Sequence, residues 1–94
     1  MTQTLEIRHA VSPLDARGFD TARLRREFLV TQLFPAGRIR LVYSHVERMI
    51  LGGATPLAAR LTLAAPKEIG ARDFLARREL AVVHLGGAGR VFVG

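Results

Sequence analysis

Between residues 41 and 53 the chain is dense in strand-forming side chains, broken only by Ser44-His45 and Glu47-Arg48. Such a run predicts a β-hairpin. Residues 38–43 read as its first strand, 44–47 as the turn, 48–51 as the return strand, and Gly52-Gly53 as the way out. The period of two puts Ile39, Leu41 and Tyr43 on one face and Arg38, Arg40 and Val42 on the other. A hairpin with one apolar face is unstable alone in water, so the rest of the chain must supply further strands or a partner.

Several stretches offer them. Leu5 and Ile7 alternate with Glu6 and Arg8, as in an edge strand or extended arm, which Ser12-Pro13 ends. Residues 15–20 read as a loop. Asp20 or Thr21 caps a short helix near residues 20–29, with Leu24 and Phe28 four apart on one face and a sheet expected beneath them. Residues 28–34 then turn β-like, and Pro35-Ala36-Gly37 makes a turn. Leu57, Ala59, Leu61 and Leu63 alternate with Ala58, Arg60, Thr62 and Ala64, predicting a strand over 57–64. Residues 66–72 are irregular, and Asp73-Phe74-Leu75 is one helical turn. Residues 81–85 are apolar on both faces, the mark of a central strand. Gly86 to Gly89 form a turn, and 90–93 open another strand. These elements predict a mainly β chain, an antiparallel sandwich or barrel whose strand inventory is incomplete. The apolar edge at 90–93 has no partner, so the isolated chain is expected to oligomerise or aggregate.

Ninety-four residues allow one small domain. A hydrophobic fraction of 49% is high for that length, and the surplus apolar surface points to a partner, an oligomer or a further piece of protein. No cysteine is present, which removes disulfides and thiolate metal sites. The 14 basic against 8 acidic residues give +6. Lys67 is the only lysine, and the arginines are scattered from Arg8 to Arg90 rather than gathered into a stripe. A nucleic-acid partner is therefore not expected. No apolar run is long enough to span a bilayer, and residues 1–6 carry no leader pattern, so no membrane partner and a cytoplasmic location are expected.

The best local cluster of chemistry is Tyr43-Ser44-His45-Val46-Glu47-Arg48. It offers an imidazole, a carboxylate and a guanidinium within one turn. His45, Glu47 and Arg48 are the catalytic candidates, as proton shuttle or substrate contact. Tyr43, Arg77 and Arg78 are candidates for substrate binding, arginine being suited to a carboxylate. Each has a blander use. Loop polar groups commonly satisfy the backbone, and Arg77-Arg78-Glu79 also reads as a solvated strand entry. His9, His45 and His84 show no metal-ligand spacing, so no metal ligand is assigned; His84 reads as a core or interface histidine. Gly86-Gly87-Ala88-Gly89 precedes no helix pattern and is a hairpin turn rather than a phosphate loop.

Four blocks in order carry a family likeness. They are Leu24 to Val30, Leu41 to Gly53, Phe74 to Val82 and Gly86 to Gly89. In these the chain resembles the 5-dehydro-4-deoxy-D-glucuronate isomerases, also named 4-deoxy-L-threo-5-hexosulose-uronate ketol-isomerases, over the N-terminal part of a family member. The resemblance implies that residues 1–94 are a single, incomplete N-terminal domain of a cupin-like β-barrel or sandwich. It implies a ketol-isomerase that interconverts 5-dehydro-4-deoxy-D-glucuronate and 3-deoxy-D-glycero-2,5-hexodiulosonate in pectin catabolism. The family's zinc ligands lie beyond the matching blocks, so this chain alone is expected to be inactive. Its implied partners are a uronic-acid-derived small molecule and either copies of itself or a C-terminal half. The competing reading is a non-catalytic sugar-acid-binding or oligomerisation module.

Overall fold

A computed structural model describes residues 2–93. The order is β1 (Gln3–Arg8), α1 (Pro13–Ala16), α2 (Thr21–Phe28), β2 (Ile39–Ser44) and β3 (Met49–Ala54), followed by a single 3-10 turn at Lys67–Ile69. The three strands form one sheet in the order β1-β2-β3. The hairpin is where the sequence places it, displaced by one residue: the turn falls on residues 45–48, and Gly52 and Gly53 belong to β3. The sheet is mixed and not purely antiparallel. β3 pairs antiparallel to β2, with Leu41 opposite Gly52, while β1 pairs parallel to β2, with Leu5 opposite Leu41. A parallel pair needs a long crossover, and the two helices lie within it.

The buried hydrophobic core among the described residues is β2 itself: Ile39, Leu41, Val42 and Tyr43. Val42 is fully buried, although it alternates with Arg40 on the side expected to face water. Both faces of the sheet are therefore covered.

The Val42 face is covered through charge. Glu6, Arg8 and Arg40 share it by strand parity. Glu6 accepts from Arg8 Nε at 2.7 Å and from Arg40 Nη2 at 3.1 Å. The same two guanidinium groups donate onward, Arg8 to the Leu29 carbonyl and Arg40 to the Thr31 carbonyl at 3.3 Å. They pin residues 29–34 across the face. That stretch is consequently not a strand. Gln32 sits at φ 54, in the left-handed region, and two of its backbone acceptors are taken by side chains instead of a ladder. Leu33 closes the face over Gly53, where a Cβ would run into the Leu33 carbonyl oxygen.

The other face carries Leu5, Ile7, Ile39, Leu41, Tyr43 and Ile50. Its cover comes from residues 61–78, where Leu61, Leu63, Ile69 and Phe74 are half-buried. The cover is fastened at both ends. Gln3 Nε2 donates to the Ala64 carbonyl and Gln3 Oε1 accepts the Ala64 N–H, both at 2.9 Å. Arg78 is tied to Tyr43. The alternation at 57–64 produces no strand: a side-chain amide occupies the backbone pair of Ala64, and no described strand pairs with residues 57–63.

The helices follow their caps. Ser12 Oγ accepts the Asp15 N–H at 3.1 Å and starts α1, with Pro13 in its first turn, where a loop was expected. Asp20 Oδ1 accepts the Arg23 N–H at 2.8 Å and starts α2. Leu24 and Phe28 remain about half exposed, so α2 buries no side chain against the sheet. Asp73 to Ala76 make one turn, closed by the Ala76 N–H on the Asp73 carbonyl at 3.2 Å.

Residues 81–85 and 90–93 form no strand, and 86–89 close no hairpin. Their side chains stay in solvent: Val82, Val83, Leu85, Val91, Phe92 and Val93 are 60% to 89% exposed. A strand exists only as one side of a ladder, and no described segment pairs with these. The cost shows in the surface. The chain exposes 7713 Å², against about 5,400 Å² for a compact monomer of its mass. Its radius of gyration is 15.1 Å, against about 12.4 Å for a compact domain of this length. No helix among the described residues is long and apolar enough to cross a membrane.

Two outcomes check this packing. The carboxyl of Glu6 is held below the ordinary carboxylate range, chiefly by its hydrogen bond from Arg8. A depressed folded-state pKa stabilises above the unfolded value and is lost as pH falls through the folded one. Thermal stability should therefore decrease in the native chain as pH drops below the ordinary carboxylate range, and E6Q should remove that part of the slope. G53A should destabilise by about 3 kcal/mol or more in denaturant titration, since backbone must move to admit the methyl.

Candidate functional site

The sheet's own geometry builds a cluster at the C-terminal ends of β1 and β2. Tyr43 and His45 are two apart on an extended chain and so share a face. The His45 N–H donates to the Arg8 carbonyl at 2.8 Å, continuing the parallel ladder one step past β2. The parallel register, Ile7 opposite Tyr43, brings His9 level with His45 on that same face. The rings respond by stacking. Tyr43 and His45 lie with centroids 4.3 Å apart, and His45 and His9 with centroids 5.9 Å apart, each pair 12° from parallel. His45 is the middle rung.

Arg78 closes the Tyr43 end. Its Nη2 donates to Tyr43 Oη at 2.8 Å and its Nη1 to the Arg48 carbonyl at 3.4 Å. The guanidinium carbon lies 5.0 Å from the Tyr43 ring centroid, within cation–π range. Arg48 can offer that carbonyl because it takes φ 52 in the turn. Tyr43 is buried, Arg78 is half-buried, and His9 and His45 are exposed.

Of the six site candidates read from the sequence, three meet here through side chains: Tyr43, His45 and Arg78. Arg48 joins through its backbone. Glu47 and Arg77 are exposed, and among the described residues neither makes a side-chain hydrogen bond or ion pair. His9 was missed as a partner of His45. The signal lay in β1: once it is paired parallel to β2, His9 must stand beside His45. His84, read as a core or interface histidine, is not in the core, being exposed beside Gly89.

The larger concavity lies elsewhere. It is an open groove on the Val42 face, reached by Phe34, Arg38 and Arg40. It holds no imidazole or carboxylate, and Arg40 is committed to Glu6 and Thr31. The chemistry sits with the ladder. A zinc ion does not fit there. Among the described residues no three of His, Cys, Asp or Glu converge, and stacked imidazoles turn their faces to one another, not their nitrogen lone pairs.

The fold and cluster together define a small, mainly β, arginine-rich segment with an imidazole–tyrosine ladder at one strand end. No family model matches the chain. Its curated relatives are nonetheless specific: nearly the whole chain matches about a third of the length of proteins named 4-deoxy-L-threo-5-hexosulose-uronate ketol-isomerase. A protein of that name from Cereibacter sphaeroides is 52% identical over 87 residues, covering 93% of this chain and 32% of the relative. One from Lachnospira eligens is 45% identical over 89 residues, covering 95% and 32%. One from Bacteroides thetaiotaomicron is 44% identical over 94 residues, covering 100% and 34%. The chain thus spans about a third of the length of the curated relatives it matches.

If Arg78 and Tyr43 act as a unit, their substitutions will not add. Y43F should cost about 1 kcal/mol by chemical denaturation, and much less once R78A is already present. Equal costs in both backgrounds would separate the two residues.

Proposed function

We propose that this chain forms part of a ketol-isomerase that interconverts 5-dehydro-4-deoxy-D-glucuronate and 3-deoxy-D-glycero-2,5-hexodiulosonate in pectin breakdown. The reading rests on one observation: 44% to 52% identity to isomerases of that name along nearly the whole chain. Such an isomerisation lifts a proton from carbon beside a carbonyl and returns it to the neighbouring carbon. A zinc ion, when bound in the family enzyme, would steady the enediolate as a Lewis acid. Its ligands are assigned to the two thirds of the relatives' length that this chain does not span.

The chain's own contribution is a scaffold with a ligand-facing end. The surplus of roughly 2,300 Å² over a compact monomer, counted on this one side, is of the size that a large, permanent interface buries per partner. Of the eight large apolar side chains at least 60% exposed among the described residues, six lie in residues 81–93. The remaining two thirds of a cupin-like protein is the partner of this reading, and it turns those residues into strands by pairing with them. Oligomer formation and a cytoplasmic setting belong to the same proposal.

A chimera tests it. The matching third of the Cereibacter relative is replaced by this chain, and turnover of 5-dehydro-4-deoxy-D-glucuronate is followed. The chimera should isomerise the substrate, and the chain alone should not. A folded but inactive chimera, or turnover by the chain alone, would contradict the proposal.

A further inference from the structure

We infer that the His9–His45–Tyr43 ladder and Arg78 together form a binding site for the carboxylate end of an acidic sugar. The inference takes from the isomerase reading only the class of ligand. Four observations carry it.

The first is an unbalanced charge. Among the described residues the ion pairs join Arg8, Arg23 and Arg40 to Glu6 and Glu27; Arg78 has none. Its two hydrogen bonds end on neutral oxygens. A half-buried guanidinium without a counter-ion is a standing demand for an anion, and a carboxylate meets its fork geometry.

The second is orientation. Those bonds occupy two of the five N–H donors. They clamp the group at the Tyr43 hydroxyl and the Arg48 carbonyl. A clamped arginine loses less freedom when it binds than a solvated one.

The third is the neighbouring surface. Three nearly parallel rings run out from the Tyr43 end, and the stacking leaves the edges of two exposed imidazoles to solvent. Those edges carry ring nitrogens that can donate to or accept from the oxygens of a sugar. The Tyr43 hydroxyl accepts from Arg78, so its own hydrogen remains to be donated.

The fourth is placement. The cluster stands where β1 and β2 both end, on backbone fixed by the ladder bond from His45 to Arg8. Tyr43 lies within β2, His9 and His45 stand one residue past the ends of β1 and β2, and Arg78 comes from irregular chain. A site on strand ends is held more firmly than one on loops. Arg77, exposed and unpaired among the described residues, lies outside it.

The test titrates the 94-residue chain with D-galacturonate while following the imidazole C–H signals by NMR. D-galactose, which lacks the carboxylate, and acetate, which lacks the ring, are the comparators. Saturable shifts at His9 and His45 are expected with galacturonate, with affinity for galactose lower by about tenfold or more. R78Q should weaken galacturonate by a similar factor. H9A, at the exposed end, should lower affinity while keeping the preference for the acid. Absence of saturable shifts, or an equal response to galactose, would overturn the site. So would an R78Q variant with an intact amide spectrum that binds as tightly as the native chain. Acetate binding as tightly as galacturonate would overturn the sugar-specific part. Should R78Q fail to fold, the galacturonate and galactose comparison in the native chain decides. An inactive chimera with intact galacturonate binding would sink the isomerase reading and leave this site standing. An active chimera with no binding here would do the reverse.

Discussion

One carboxylate and two guanidinium groups hold the polar side of this sheet together. Glu6 lies between Arg8 and Arg40, and both arginines reach past it to backbone carbonyls at Leu29 and Thr31. Surface ion pairs taken singly contribute little. This group differs because each arginine also satisfies acceptors on a passing chain segment. Those bonds, together with Leu33 packed over Gly53, hold residues 29–34 on the sheet and keep Val42 from water. The burial of β2 on that side therefore depends on charge as much as on apolar contact.

The hairpin and the α2 cap were legible because their signals are local. Asp20 precedes a helical run, and residues 41–53 alternate as a sheet requires. The strands that failed to form share one cause. At 28–34, 57–64, 81–85 and 90–93 the residues favour strands, but a strand is settled by what lies beside it. At 29–34 arginine side chains took the acceptors. At Ala64 a glutamine side chain took the whole backbone pair. At 81–93 no described segment offers a neighbour. Side-chain capture of backbone acceptors depends on tertiary position, which alternation in one segment does not encode.

The site divides in the same way. Tyr43, His45 and Arg78 stood out by chemistry in the sequence, while their partner His9 did not. Its role follows from the parallel pairing of β1 with β2, and parallel strands distant in sequence leave no local mark. Glu47 was attractive beside His45 but is carried away by the turn. The folded part of the chain thus ends in a defined cluster, and the unpaired part follows the residue that anchors it. Arg78 is the join between the two: it closes the ladder on one side and leads into residues 80–93 on the other.

A sheet that ends at Ala54, with a cover that is fastened only as far as Arg78, implies two grades of backbone protection. Native-state hydrogen exchange on the chain alone, at a dilution where it is monomeric, measures this residue by residue. Amides of Leu41, Val42 and Tyr43 should exchange slowest, and those of Val82, Val83, Val91 and Phe92 should exchange at nearly the rate of an open chain. Protection of the latter group equal to that of β2 would mean that residues 81–93 already have a ladder within this chain, and the need for an outside partner would fall.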